Sequence, residues 1–507
     1  MSLLDRLRQL SAARLLGIRR GIEKESLRTQ PGGGLARTPH PPALGAPLTH
    51  PHITTDYSES QLELITGAHA GVQDCLDELT RVHQFVYRTL VAQGNETLWV
   101  GSMPCGLGPD ENIPIGSYGS SNIARAKSVY RVGLGNRYGR RMQTISGIHY
   151  NWSMPGLNND EHFALIRNFR RHSFLLLTLF GASPAVCDSF VAGRDHGLLR
   201  LAEHTLHQPH ATSLRMGRLG YQSDAQASLA VSYNGLENYA ESLHGALTRP
   251  YPPYEAIGVK NLGGEYNQLA TTLLQIENEF YGTIRPKRVI HSGERPLHAL
   301  RERGVEYIEV RCMDLDPFVP VGITVQTMRF LDIFLLHCLL QDSPPDSPDE
   351  IAEIGRNQHL TAAFGRQPGL KLERHGQEVG LMDWAVELLE GCGPVAAALD
   401  AAHGGSAYAQ ALAAANSSLN ALDSTPSARV LATMNSDFAG SYTAFIRAQA
   451  AQSQQHLLGL PWSAALQADF EAMAQASIDK CAAIEAADTE DFETFRQAYL
   501  APQRLRA

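Results

Sequence analysis

The sequence predicts an α+β fold: half-buried strands, each with one polar and one apolar face, together with amphipathic helices. Three observations predict it. Several segments alternate polar and apolar residues with the period of two of half-buried strands. Between them, apolar residues recur at the spacing of amphipathic helices. From residue 348 the chain is alanine-rich and reads as helix to its end. The division this suggests is a region at 1–342 that carries the chemistry and a helical region at 343–507 packed on the same unit.

The first element is a helix with Leu3, Leu4, Leu7 and Leu10 at helical spacing, and Asp5, Arg6 and Arg8 interrupt any apolar run of a signal peptide. GIRRGIEKESLR at 17–28 follows as a strand. Its Glu23 and Glu25 share a face, about 7 Å apart, with Ile22 on the reverse. They read either as a solvated charged face or as cation ligands. The next segment is a Gly/Pro-rich loop. Its three consecutive glycines are not followed by Gly-Lys-Ser/Thr, so it is no phosphate loop. From Glu59 the chain alternates, with Glu59, Gln61 and Glu63 opposite Leu62 and Leu64. A helix there would instead group Asp56, Glu59 and Glu63, so carboxylates cluster either way.

Residues 71–92 form an amphipathic helix, and 101–141 read as loop-rich. Gly133, Gly135 and Gly139 imitate a dinucleotide fingerprint, with the wrong spacing and no preceding strand. A strand then places Ile148, Tyr150 and Trp152 on one face and His149, Asn151 and Ser153 on the other. Taken alone, His149 reads as a hydrogen-bonded residue before a ligand. Helices are expected at 161–181 and 235–248, with loops at 213–223. Arg285, Lys287 and Arg288 around Pro286 read as a surface turn or a phosphate contact. In the strand at 304–318, Tyr307, Glu309 and Arg311 oppose Ile308, Val310 and Cys312. Glu309 and Arg311 either pair with each other or serve a metal and a phosphate. Asp342–Glu350 reads as a linker into a helix, with Ser347 at its N-cap, Pro348 at N1 and Glu350 completing a capping box. Ser477 and Lys480 match Ser-x-x-Lys, but within a plain amphipathic helix.

Composition narrows the function. A net charge of −9 disfavours a nucleic-acid surface. Seven scattered cysteines without a CxxC suggest a reducing compartment and no disulfide framework. The most apolar late segment, Phe330–Leu340, contains Asp332 and His337 and is too short to span a bilayer. A cytoplasmic protein without membrane or nucleic-acid partners is expected. If the acidic strands share one sheet, they line a concave wall whose oxygens suit Mg²⁺ or Mn²⁺ rather than zinc. Arg311 and the Arg285–Arg288 cluster could then hold phosphate oxygens. The residues thus lead to a metal–nucleotide enzyme, without naming its substrate.

GIRRGIEKESLR, ITTDYSESQLELIT, YRVGLGNRYG, MQTISGIHYN, FGASPAVC, ATSLRMGRLGY, LQIENEFYGTIRPKR and GVEYIEVRCMDLDPF occur in this order between residues 17 and 325. Together they resemble the proteobacterial type of glutamate–cysteine ligase. The resemblance implies a glutamine-synthetase-like fold with a curved antiparallel sheet and helices outside. It implies that ATP phosphorylates the γ-carboxylate of L-glutamate and that the amine of L-cysteine attacks the acyl phosphate, the first step of glutathione biosynthesis. By the same resemblance, Glu23, Glu25, Asp56, Glu63, His149 and Glu309 are metal ligands. Arg311 contacts the transferred phosphoryl group, with Arg285 and Lys287 as further nucleotide-binding cations and Glu309 and Arg311 as the catalytic pair. Tyr57, Tyr130, Arg215, Tyr221 and Tyr281 shape the amino-acid pocket. A monomer acting on small molecules is expected. The alternatives are a ligase of the same fold with another amine acceptor, a phosphagen-type kinase, and a non-catalytic metal- or nucleotide-binding protein. The paired acidic strands and His149 argue against the kinase, and the full acidic set against the binding protein.

Overall fold

The structure, a computed structural model, describes residues 2–220, 224–226, 229–291 and 293–506. Its strands are β1 (Arg19–Thr29), β2 (Ile53–Thr55), β3 (Gln61–Ile65), β4 (Thr97–Leu98), β5 (Ile148–Ser153), β6 (Ala185–Cys187), β7 (Leu199–Ala202), β8 (Thr205–His207), β9 (Ile284–Lys287), β10 (Tyr307–Met313), β11 (Lys371–Arg374) and β12 (Gln377–Gly380). The main sheet runs β2-β3-β1-β5-β10-β9, with β4 added to the end of β1. All its pairs are antiparallel. β6, β8 and β7 form a small second sheet, and β11 and β12 a hairpin. The α+β expectation holds.

Alternation does what the pattern foretold. Ile22, Tyr150, Ile308 and Val310 are fully buried on one face, under helices that include Val72–Ala92 and Val325–Leu340. Each such side chain contributes about 1.5–3 kcal/mol. Within this apolar layer lies an ion pair, Arg20 Nη2 to Asp332 Oδ2 at 3.0 Å. Tyr150 donates to Asp332 Oδ1 at 2.8 Å, and Tyr408 to Oδ2 at 3.4 Å. One carboxylate therefore joins β1, β5 and the Ala407–Asn420 helix of the C-terminal region.

Several expectations need correction. The stretch read as loop-rich contains a 17-residue helix, Asn122–Tyr138, N-capped by Ser121. Its glycines are not breakers. A Cβ at Gly135 would lie 2.5 Å from the Tyr57 hydroxyl, and one at Gly133 would collide with the Gln275 side chain. They are sites of close approach. The helix expected at 161–181 is two, Asn159–His172 and Phe174–Phe180, meeting at Ser173. The alanine-rich region is interrupted by the β11–β12 hairpin. Its turn residues His375 and Gly376 sit at φ of 53° and 72°, the left-handed pair of a tight hairpin turn. Ser347 does accept from Glu350 N at 3.2 Å. The Glu350 carboxylate turns instead to Arg171, at 2.7 and 2.9 Å, so only half the capping box forms. Against the expectation of no disulfide, Cys105 and Cys187 are bonded, their Cα atoms 5.3 Å apart. No helix among the described residues is long and apolar enough to cross a membrane.

Candidate active site

The polar face of the main sheet collects the acidic strands. Register sets the neighbours: Glu25 lies opposite Glu63, Glu23 opposite His149, and Glu309 opposite Arg285. His149 Nδ1 is 3.2 Å from Glu23 Oε2 and 3.9 Å from Glu309 Oε1, while its Nε2 is 3.8 Å from Glu25 Oε1. Asn151, next on this face, donates to Glu23 Oε1 at 2.9 Å. Single ligand atoms of Glu23, Glu63 and His149 lie within 4.8 Å of one another. Asp56 follows β2 and faces the same cavity.

These carboxylates do not titrate alike. Burial, together with the charge of Asp56, pushes Glu25 up to about 8. Burial and the charges of Glu23, Asp56 and Glu25 push Glu63 well above the usual range. Burial would raise Glu309 too, but Lys287, Arg311, His149 and Arg285 outweigh it and hold Glu309 well below. Burial and the nearby Arg311 keep His149 low, favouring the neutral imidazole that binds metals. An array of oxygens and one imidazole, with carboxylates close enough to raise Glu25 and Glu63, fits hard divalent cations such as Mg²⁺ or Mn²⁺.

Cations sit beside this array. Arg311 Nη1 donates to Glu309 Oε2 at 2.7 Å, and Lys287 Nζ is 3.1 Å from Glu309 Oε1. Arg285 Nη1 is 3.9 Å from Glu309 Oε2, and its Nη2 donates to the Phe280 carbonyl at 2.7 Å. Carboxylate and guanidinium therefore do pair along β10. Arg288 leaves the cluster. Its guanidinium turns to the carbonyls of Arg303 and Gly304. Glu59 also drops out, because its oxygens accept from the backbone of His40 and Ser117 at 2.8 and 2.7 Å.

A cavity of about 610 Å³ opens over this face. Tyr57 and Tyr130 line it, with Glu23, Glu63, Lys287 and Arg311. Tyr281 stands one layer back, accepting from the cavity-lining Gln143 Nε2 at 2.9 Å. Arg215 is buried beside Gly147 and donates to the Arg311 carbonyl at 2.9 Å. Tyr221 lies outside the described residues.

The sequence profile of the glutamate-cysteine ligase family matches residues 4–361. The chain belongs to that family. The glutamate–cysteine ligase of Alcanivorax borkumensis is 47% identical over 511 residues, covering 96% of this chain and 97% of that one. The Pseudomonas aeruginosa protein of the same name is 49% identical over 499 residues, covering 95% and 94%. A glutamate–cysteine ligase from Francisella tularensis, crystallised in complex with AMP, superposes with a TM-score of 0.91 at 35% identity, over 96% of this chain and 98% of that one.

This member of the glutamate–cysteine ligase family has cavity residues that sequence reasoning missed. Lys127, Arg131 and Leu134 line the cavity from the Asn122–Tyr138 helix, with Ile123 and Tyr130. Their spacing of three, four and seven is a helical stripe, hidden by Gly133 within it and Gly135 just after it. Arg131 Nε donates to the Asp56 carbonyl, and its guanidinium lies 4.6 Å from the Tyr118 ring centroid. His50 contributes from the Gly/Pro-rich loop, and Lys480, Ile484 and Tyr499 from the C-terminal region. No local pattern announces those last three.

Proposed function

We propose that this chain joins the γ-carboxylate of L-glutamate to the amine of L-cysteine with hydrolysis of ATP, through a γ-glutamyl phosphate. The products are γ-glutamylcysteine, ADP and phosphate. The observation that carries this reading is the one sheet face on which a carboxylate–imidazole array abuts Arg311, Lys287 and Arg285. Phosphate and carboxylate repel, so the task is mainly charge neutralisation and positioning.

Glu23, Glu25, Asp56, Glu63, His149 and Glu309 would hold Mg²⁺, or Mn²⁺ in its place, which when bound neutralises phosphate charge. Arg311 would meet the transferred phosphoryl group, with Lys287 and Arg285 on neighbouring oxygens. All three now lean on Glu309, which orients them before substrate arrives. Tyr57 and Tyr130, with Tyr281 behind Gln143, would wall the acyl phosphate from water. Aromatic edges also suit a thiol-bearing acceptor. We take residues 1–342 as the catalytic region and 343–507 as a helical region packed on it.

The deciding experiment is the product mass formed from ATP, glutamate and a mixed amino-acid pool. The expected mass is that of γ-glutamylcysteine, with ADP released only when glutamate and an amine acceptor are both present. ADP formation from ATP and cysteine without glutamate would refute the reading, and a clear preference for a non-thiol amine would replace cysteine as the acceptor.

A further inference from the structure

The helix Ala464–Ala487 lends Lys480 and Ile484 to the cavity lining and meets two other lining segments with one stripe. Ser477, Lys480, Cys481, Ile484, Glu485 and Asp488 recur at steps of three and four, the spacing of a single helical face. Ser477 holds the first segment. Its Oγ accepts from Ala46 N at 2.8 Å, and its carbonyl accepts from Thr49 Oγ1 at 2.5 Å. Glu485 and Asp488 hold the second, accepting from the backbone N–H groups of Ser120 and Asn122 where the Asn122–Tyr138 helix begins.

Between these two clamps, Lys480 and Ile484 line the cavity. The clamps fix where the Lys480 stem leaves the helix. The polar side chains of the stripe around it bond to protein. Lys480 is exposed and makes no ion pair among the described residues. A cation fixed on the lining of an acidic cavity, with no carboxylate of its own, is suited to an incoming oxyanion. Arg285 and Lys287 lie on β9, at the opposite edge of the sheet from β2, whereas Ser477 anchors this helix to the segment leading into β2. The helix that carries Lys480 is thus anchored toward the β2 side of the sheet, and the β9 cations lie at its other edge.

We propose that Lys480 binds an oxyanion of a substrate in this cavity, either the carboxylate of an amino acid or a phosphate of ATP. The C-terminal helices are then part of the binding site. The proposal rests on the ligase reading for what enters the cavity.

The test compares the full-length protein with K480M, which keeps the apolar stem, and with K480R, which keeps the charge. KM is measured separately for Mg-ATP, glutamate and cysteine, and Kd for Mg-ATP and glutamate by calorimetry. K480M is expected to raise KM for one substrate about 10- to 150-fold, as for loss of a charged hydrogen bond, with kcat within about twofold. K480R is expected to restore it. A shift confined to ATP assigns a phosphate, and one confined to glutamate or cysteine assigns a carboxylate. Unchanged KM and Kd values in K480M, or a rise that K480R does not reverse, would overturn the proposal. Wild-type protein that binds Mg-ATP but forms no dipeptide would count against the ligase reading instead, and the calorimetric comparison would still decide the role of Lys480.

Discussion

Glu309 is 1% exposed yet touches three cations and the imidazole of the array. Replacing it with glutamine keeps the shape and removes the charge that organises them. Turnover of Glu309→Gln is expected to fall by at least ~100-fold with the far-UV spectrum unchanged, the size expected for losing a preorganised electrostatic contact. Wild-type ADP release from that variant would remove Glu309 from the mechanism. Glu25 and Glu63 make a second prediction, about pH. Burial and like charge raise both from the ordinary value of 4.5, Glu25 to about 8 and Glu63 well above that ordinary value. The folded, metal-free chain therefore holds protons that the unfolded chain has released. Stability from these groups is complete below pH 4.5 and falls as pH rises through 8, by up to about 1.4 kcal/mol per pH unit for each group. The Tm of metal-free protein should drop between about pH 4.5 and 8, and Mg²⁺ should stabilise more at the upper end. A Mg²⁺ effect independent of pH would contradict this.

At the scale of elements, the Asn122–Tyr138 helix shows how a glycine can mislead. Gly135 sits where a methyl group would meet the Tyr57 hydroxyl, which has no hydrogen-bond partner among the described residues. Gly135→Ala gains about 1 kcal/mol of helix propensity but overpacks the contact, for a net loss of about 1–2 kcal/mol in denaturant melts. Tyr57→Phe alone should be close to neutral, since it deletes an unpaired buried hydroxyl. In the double variant the loss should largely vanish, and strict additivity would show that the two residues do not meet. The strands were legible because a two-residue period on a one-sided sheet leaves little choice of face. That is why Glu23, Glu25, Glu63, His149 and Glu309 could be grouped before any coordinates. Glu59 shares the period of Glu63, but it precedes β3, where backbone N–H groups claim its carboxylate. The β11–β12 hairpin was illegible for the opposite reason. It is short and polar, without the apolar alternation that marks a half-buried strand. Lys480, Ile484 and Tyr499 reach the cavity only through tertiary packing, which no local spacing encodes.

At the scale of the molecule, Asp332 ties the layers together. Its carboxylate is fully buried among Arg20, Tyr150 and Tyr408. Asp332→Ala leaves a buried guanidinium without its counter-charge and should cost about 3–5 kcal/mol, read as a lower denaturant midpoint at unchanged slope. A change below ~1 kcal/mol would mean that the sheet and the C-terminal helices hold together without this carboxylate.

β9 has a second consequence. It is the outermost strand of the main sheet, and it is short, with Pro286 between Arg285 and Lys287. An open edge invites another chain to add a strand. Proline removes one backbone donor from that edge, and two like charges repel an identical strand laid alongside. The two basic side chains proposed above to meet phosphate also discourage the sheet from polymerising, so on that proposal neutral substitutions there bear on solubility as well as on turnover.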